Sequence, residues 1–295
     1  MLSRRKFIKM TGATALVPGI PLSSIALSNS KQPGQSEELF KLGIVGYSFK
    51  EYKDDIDKTI ELLHALRVKN VALKEFQLPY ESSQEHIDKV MGQFKAAGIV
   101  VTGVGVIYMR SEKEIDSAFE YAKRTGVNNI IASVEYELLP YLEIKAKQYK
   151  ITVAIHNHGP EDKLFPDIDS IYEKIKDRDK LLGICMDIGH TFRCGHDPAA
   201  MFLKYHHRIY DVHIKDEESN TAKSKAVNNG WGKIDFVSFV KALRSSKYSG
   251  LCGLENAQKN PEVALAESMG HFRGVLVATR GVEYLKICYN NLKPK

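Results

Sequence analysis

A chain of 295 residues with 43% apolar and 26% charged side chains has the composition of an ordinary globular protein, long enough for one barrel-sized domain or two smaller ones. Its formal net charge is +6, but Arg4, Arg5, Lys6 and Lys9 supply four of those charges inside the acid-free stretch from Met1 to Ser30. The remainder, near +2, is too little for a nucleic-acid footprint, so no nucleic acid partner is expected.

In chain order, the first feature is "SRRKFIKM" followed by "TGATALVPGIPLSSIAL". This leader resembles a twin-arginine export signal, with Arg4 and Arg5 as the pair and Phe7 and Lys9 in the following positions. Pro18, Pro21 and an apolar run short of the ~20 residues of a membrane span argue against a transmembrane helix. No cysteine follows the run, so no stable membrane anchor is expected. Cleavage is expected within Ala26–Ser30, with export to the periplasm, and a polar linker occupies 31–39.

After residue 40, short apolar runs alternate with helical patterns at a period near thirty residues. The strand candidates are "LGIVGYSF" (42–49), "NVALKEF" (70–76), "IVVTGVGVIYM" (99–109) and "NNIIASV" (128–134). They continue with "ITVAIH" (151–156), "LLGICMDIGH" (181–190), "IYDVHIKD" (209–216) and "GLCGLEN" (250–256). Between them, stretches such as "DDIDKTIELLHALR" and "EKEIDSAFEYAKRTG" space apolar residues three and four apart. Gly98, Gly126 and Gly250 stand where helices should end and strands begin. Near-continuous apolar strands imply a sheet covered on both faces. Eight strand–helix units fit an α/β fold of the single (β/α)8 TIM barrel kind over residues 40–292. An open doubly wound sheet would show a glycine-rich phosphate loop after its first strand, and "GYSFKEYKDD" has none. The four cysteines form no C-x-x-C pair. Cys185 and Cys252 fall on strands two places apart, ~10 Å against the ~7 Å a disulfide tolerates, so free and mostly buried thiols are expected.

The polar residues of this barrel collect at the C-terminal ends of its strands, where barrel chemistry resides. Glu75 closes strand two, His156 and His158 strand five, and Asp187 and His190 strand six. His213 and Lys215 close strand seven and Glu255 strand eight. His156 and His158, two apart, face one side. Taken singly, a histidine there is more often a hydrogen-bonded core residue, and an aspartate often caps the next helix. Four such coincidences on strands five to eight point instead to a divalent cation, which satisfies converging carboxylates and imidazoles that would otherwise be costly to bury. His64, His86, His196, His206, His207 and His271 lie in helical or loop patterns and read as structural or exposed.

"VAIHNHGPE", "MDIGHTF", "DVHIKD", "NNGWGKIDF" and "GLEN", in that order, resemble the sugar isomerase and epimerase family with the xylose-isomerase-like TIM barrel. Its relatives include ketose 3-epimerases, inosose dehydratases, 3-keto-glycoside lyases and, more distantly, metal-dependent apurinic endonucleases. The resemblance implies a metal set of Asp187, His213 and Glu255, with His156 where the family carries a glutamate, and His190 binding substrate. Two histidines in the set shift the expected single divalent ion towards Mn, Co or Zn over Mg. Without the second glutamate, the symmetric pair of epimerase bases is gone. Glu255 is left as one base, with His158, His156 or Glu75 as the other acid or base. The implied chemistry is proton abstraction next to a sugar carbonyl, as isomerase or epimerase. A lyase or dehydratase on a 3-keto sugar or 3-keto-glycoside is the alternative, and a non-catalytic carbohydrate-binding barrel a further one. Lys215 is a candidate for a substrate oxygen, Trp231 for a sugar face, and Tyr47 and Phe49 for the pocket wall. The absence of a good phosphate loop favours an unphosphorylated sugar or cyclitol as the small-molecule partner, and a homo-oligomer stays open.

Overall fold

The computed structural model describes residues 38–291, with side chains through Arg280. The export signal, its cleavage segment and residues 31–37 of the linker lie outside the described residues. Eight parallel strands close into a barrel: β1 (Lys41–Val45), β2 (Asn70–Leu73), β3 (Val100–Met109), β4 (Asn129–Val134), β5 (Thr152–His156), β6 (Leu182–Asp187), β7 (Ile209–Ile214) and, after a short antiparallel hairpin of β8 (Asp216–Glu217) and β9 (Ala226–Val227), β10 (Leu251–Leu254). The order around the barrel is β1-β10-β7-β6-β5-β4-β3-β2. The eight runs read from the sequence are these eight barrel strands.

The helices between them are α1 (Ile56–Ala65), α2 (Gln84–Ala96), α3 (Glu112–Thr125), α4 (Leu139–Tyr149), α5 (Ile168–Ile175), α6 (Ile188–Arg193), α7 (Pro198–Tyr205), α8 (Phe236–Ser245) and α9 (Pro261–Asn291). Most begin on a short polar side chain that accepts an otherwise orphaned backbone N–H. Asp55 accepts from Lys58, Ser83 from His86, Ser111 from Glu114 and Asp235 from Ser238. α3 ends on Gly126 at φ 75°, the left-handed cap that only glycine takes without strain. Gly250, just before β10, is required for space: a Cβ there would lie 2.3 Å from the Tyr248 hydroxyl and 2.6 Å from the Tyr210 carbonyl.

Three boundaries differ from the sequence reading by three residues or more. β1 stops at Val45, and Gly46–Phe49 form a 3-10 turn packed so closely that a Cβ on Gly46 would meet the Ala72 carbonyl at 2.8 Å. β2 stops at Leu73, which leaves Glu75 in the following turn. β6 stops at Asp187, and "IGHTFR" turns into α6 because the Asp187 carboxylate accepts the His190 N–H at 2.8 Å.

Most of the apolar core lies between the strands and the ring of helices, with Phe49, Phe94, Phe119, Phe202, Phe239 and Phe272 among its fully buried members. Inside the barrel, Ala72, Ile131, Ala154, Cys185 and Leu251 form a separate small plug. A filled interior of this kind makes the barrel a platform rather than a pore. Cys185 and Cys252 are buried free thiols, as expected. Among the described residues, no helix is long and apolar enough to cross a membrane.

Candidate metal centre

Above the plug, the strand ends of the second half of the barrel converge. Asn157 organises the approach: its Oδ1 accepts the Asp187 N–H at 2.9 Å and its Nδ2 donates to the Asp187 carbonyl at 3.3 Å, locking the end of β6 to the end of β5. His156 and His158 flank it and face the interior together, with ring centroids 4.6 Å apart. Asp187 divides its two oxygens between tasks. Oδ1 caps α6, while Oδ2 faces the cavity side, 3.8 Å from His156 Nε2.

His156, Asp187, His213 and Glu255 each offer a ligand atom within 4.8 Å of every other, and all four are buried. His156 Nε2 and His213 Nδ1 are 3.0 Å apart, and His213 Nδ1 is 3.0 Å from Glu255 Oε2. Lone pairs brought this close need a proton or a cation between them. The donor set, two imidazoles and two carboxylates, fits zinc, manganese or cobalt. Lys215 supplies a fixed positive charge beside it, with Nζ 3.0 Å from Asp187 Oδ2 and 2.8 Å from Glu255 Oε1.

Burial holds His156 well below the ordinary imidazole range, and the neighbouring His213 adds to the effect. Burial likewise lowers His158, and it takes His190 down to about 4. Burial alone would raise Asp187 and Glu255, but His190 and Lys215 outweigh it at the first, and Lys215 and His213 at the second, so both carboxyls are held low. The imidazoles at 156, 158 and 190 are therefore neutral and the carboxylates ionised at neutral pH, the forms that bind cations, whereas at His213 burial alone would lower the imidazole but Glu255 outweighs it and holds it above its ordinary range. Asp211, two residues before His213, is different: burial pushes it up to about 7.

A cavity of about 460 Å³ opens over this cluster, lined by Tyr47, Lys74, Glu75, Tyr108, His156, His158, His190, Lys215 and Glu255 among others. A larger hollow of about 620 Å³ lies at the opposite, N-terminal mouth, reached from Lys41, Thr152, Asp211 and Tyr248, and touches none of the converging ligands. The candidates Glu75, His156, His158, His190, Lys215 and Glu255 thus line the upper cavity, and Asp187 and His213 join His156 and Glu255 in the ligand cluster beneath it. Trp231 is not: it is 72% exposed, in a loop whose Gly230 and Gly232 N–H groups are tied to Asp216, and it is not among the cavity-lining residues. Phe49 is fully buried in the core beneath the β1 turn.

Three residues went unread in the sequence. Lys74 projects into the cavity, pairing with Glu75 at 2.9 Å and donating to the Val106 carbonyl at 2.8 Å. Tyr108 stacks on His158, its hydroxyl 3.4 Å from Nε2. Asp162 Oδ2 stands 3.3 Å from His158 Nδ1 on the other side. Tyr108 shows the signal that could have found it, since it is a polar aromatic at the end of an apolar strand. Lys74 sits among the last residues of a strand run, where a charged residue reads as an exposed end.

A family described as xylose isomerase-like TIM barrel matches residues 19–275. An inosose dehydratase of Lacticaseibacillus casei is 28% identical over 136 residues, 41% of this chain and 45% of that protein, so the chain aligns with under half the length of this curated relative. Among solved structures, the apo form of the 3-keto-D-glucoside 4-epimerase YcjR from E. coli superposes with a TM-score of 0.65 at 17% identity, over 80% of this chain and 99% of that one. The IolI protein with a bound zinc atom superposes with a TM-score of 0.65 at 17% identity, over 81% and 98%. At these identities the two structures establish a shared fold.

Proposed function

Because the chain belongs to the xylose isomerase-like TIM barrel family, we propose that it is a divalent-metal-dependent enzyme that removes a proton next to the carbonyl of an unphosphorylated sugar or cyclitol. One observation carries this reading: His156, Asp187, His213 and Glu255 bring four ligand atoms within 4.8 Å of one another under a solvent-reachable cavity. The dehydratase relative and the epimerase and zinc-binding neighbours support it.

A cation held by these four residues supplies Lewis acidity to a substrate carbonyl. The side chains around it divide the remaining work. Both oxygens of Glu255 are engaged, one at His213 and one at Lys215, which suits it as a ligand. His158 is the better proton acceptor, being a neutral imidazole on the cavity wall. Asp162 at Nδ1 favours the tautomer that leaves Nε2 bare. Tyr108 and Glu75 border the same space and can hold or return a proton to substrate. The Lys215 ammonium is placed to offset negative charge as it develops on a substrate oxygen.

A lyase or dehydratase reading is favoured by one feature, the histidine at position 156, which leaves bases of different kinds on the two sides of the cavity. A proton taken by His158 and a β-oxygen leaving on the other side then give elimination. The leader Met1–Ser30 supports export to the periplasm, where sugar phosphates are scarce. The deciding experiment loads the full chain with zinc, manganese or cobalt and incubates it in deuterated water with a panel of sugars and 3-keto sugars. Deuterium at one carbon without loss of a group supports isomerisation or epimerisation, and release of an aglycone or water supports the lyase. His158→Gln should abolish either while leaving ligand affinity near wild type. A metal-loaded chain that binds sugars yet exchanges no deuterium and releases nothing is a carbohydrate-binding barrel.

A further inference from the structure

Asp211 is the buried carboxylate of the barrel interior that the proposed chemistry leaves without a task. It stands two residues before His213 on β7, so both side chains face inward. Its neighbours in register are Cys185 on β6 and Leu251 on β10, both members of the interior plug, and it borders the lower hollow beside Asn129 and Thr152. At 1% exposure, a carboxylate at this depth needs partners. Oδ2 accepts from Asn129 Nδ2 at 3.3 Å, and Asn129 is held in turn by the Thr152 hydroxyl, which donates to its Oδ1 at 2.9 Å. Oδ1 has no partner, and neither has Nε2 of His213. These two unpartnered atoms lie 3.9 Å apart.

Resting on the metal reading above, we propose that Asp211 is a positioning residue for the metal centre, accepting the Nε2–H of His213 so that Nδ1 is left bare to ligate. The separation exceeds a hydrogen bond by about 1 Å, which a small side-chain rotation closes. In the neutral form that binds a cation, the His213 imidazole carries one N–H, and two carboxylates compete for it here. Glu255 lies at Nδ1 and Asp211 at Nε2. Were Glu255 to win, the proton would occupy the ligating nitrogen. Asp211 tips the choice the other way, as a carboxylate behind a ligating histidine does in general.

The test compares the full chain with Asp211→Asn and Asp211→Ala, titrating cobalt and zinc against a chelator and recording the visible spectrum of the cobalt form. The inference expects a loss of cation affinity of roughly 10- to 100-fold for the alanine variant and less for the asparagine one, which keeps an acceptor, with a changed cobalt spectrum in both. Affinities within twofold of wild type and superimposable spectra would overturn it. A wild-type chain that binds no cation at all overturns the metal reading, and this inference with it. Should both variants fail to fold, nitrogen-15 histidine spectra of the metal-free wild type, taken on the neutral side of the His213 titration, still decide. His213, identified by the signal lost in His213→Gln, is expected as the Nε2–H tautomer, and an Nδ1–H tautomer refutes the role of Asp211.

Discussion

Replacing Lys215 by methionine separates the two states of the centre. Asp187 and Glu255 are two buried negative charges, and Lys215 at 3.0 and 2.8 Å is the positive charge that faces both. Its removal leaves the carboxylates uncompensated in a largely buried site, a loss of about 3–5 kcal/mol for one partner of a buried pair. For a barrel of this size, roughly 2–3 °C of melting temperature accompany each kcal/mol, so Lys215→Met should melt about 6–15 °C lower in the presence of a chelator. A divalent cation between the same carboxylates restores the compensation, and with zinc or manganese most of that loss should return. Thermal melting by circular dichroism, with chelator and with saturating metal, measures both arms. A variant that melts at the wild-type temperature with chelator, or that gains nothing from metal beyond what wild type gains, would refute the electrostatic reasoning and leave Lys215 a bystander.

His156→Glu should lower the ratio of zinc to magnesium affinity, measured by competition with a metal indicator, because a hard oxygen replaces a borderline nitrogen. Glu38 pairs with Arg244 at 2.6 Å and with Arg280; burial alone would raise its carboxyl, but the two guanidiniums outweigh it and hold it low. Its stabilisation is therefore complete above the unfolded carboxylate range, near ~4.3, and disappears as pH falls through the lower folded value. Glu38→Gln should thus be less stable than wild type at pH 7 by about 1–2 kcal/mol in urea melts, with the gap closing in acid. Gly126→Ala places a side chain at φ 75° and should cost about 1 kcal/mol with no effect on metal affinity.

The barrel itself was legible because its determinants are local. An apolar run of four to eight residues must be a strand if glycine and helical periodicity bound it, and β4 over Asn129–Val134 or β5 over Thr152–His156 needs no distant partner to be recognised. Alternation on a strand places His156 and His158 on one face, and strand ends carry Asp187, His213 and Glu255 to one mouth. The same local rules erred at "GYSF", "KEF" and "IGH", where a strand stops early. Those stops depend on contacts far along the chain, such as Gly46 against Ala72, or on a carboxylate that already serves as a cap, as Asp187 does for α6.

What the amino-acid order determined by itself was therefore the repeat of strand and helix and the level at which each ionisable group stands. Tertiary closure decided which of those groups meet. Lys215 faces two carboxylates, Asp162 and Tyr108 bracket His158, Asp211 stands behind His213, and Trp231 is left outside. The reason is range. Propensity and periodicity act over a few residues, whereas a charge responds to whatever the closed barrel brings within a few ångströms, and that distance is set by strands twenty to two hundred residues apart.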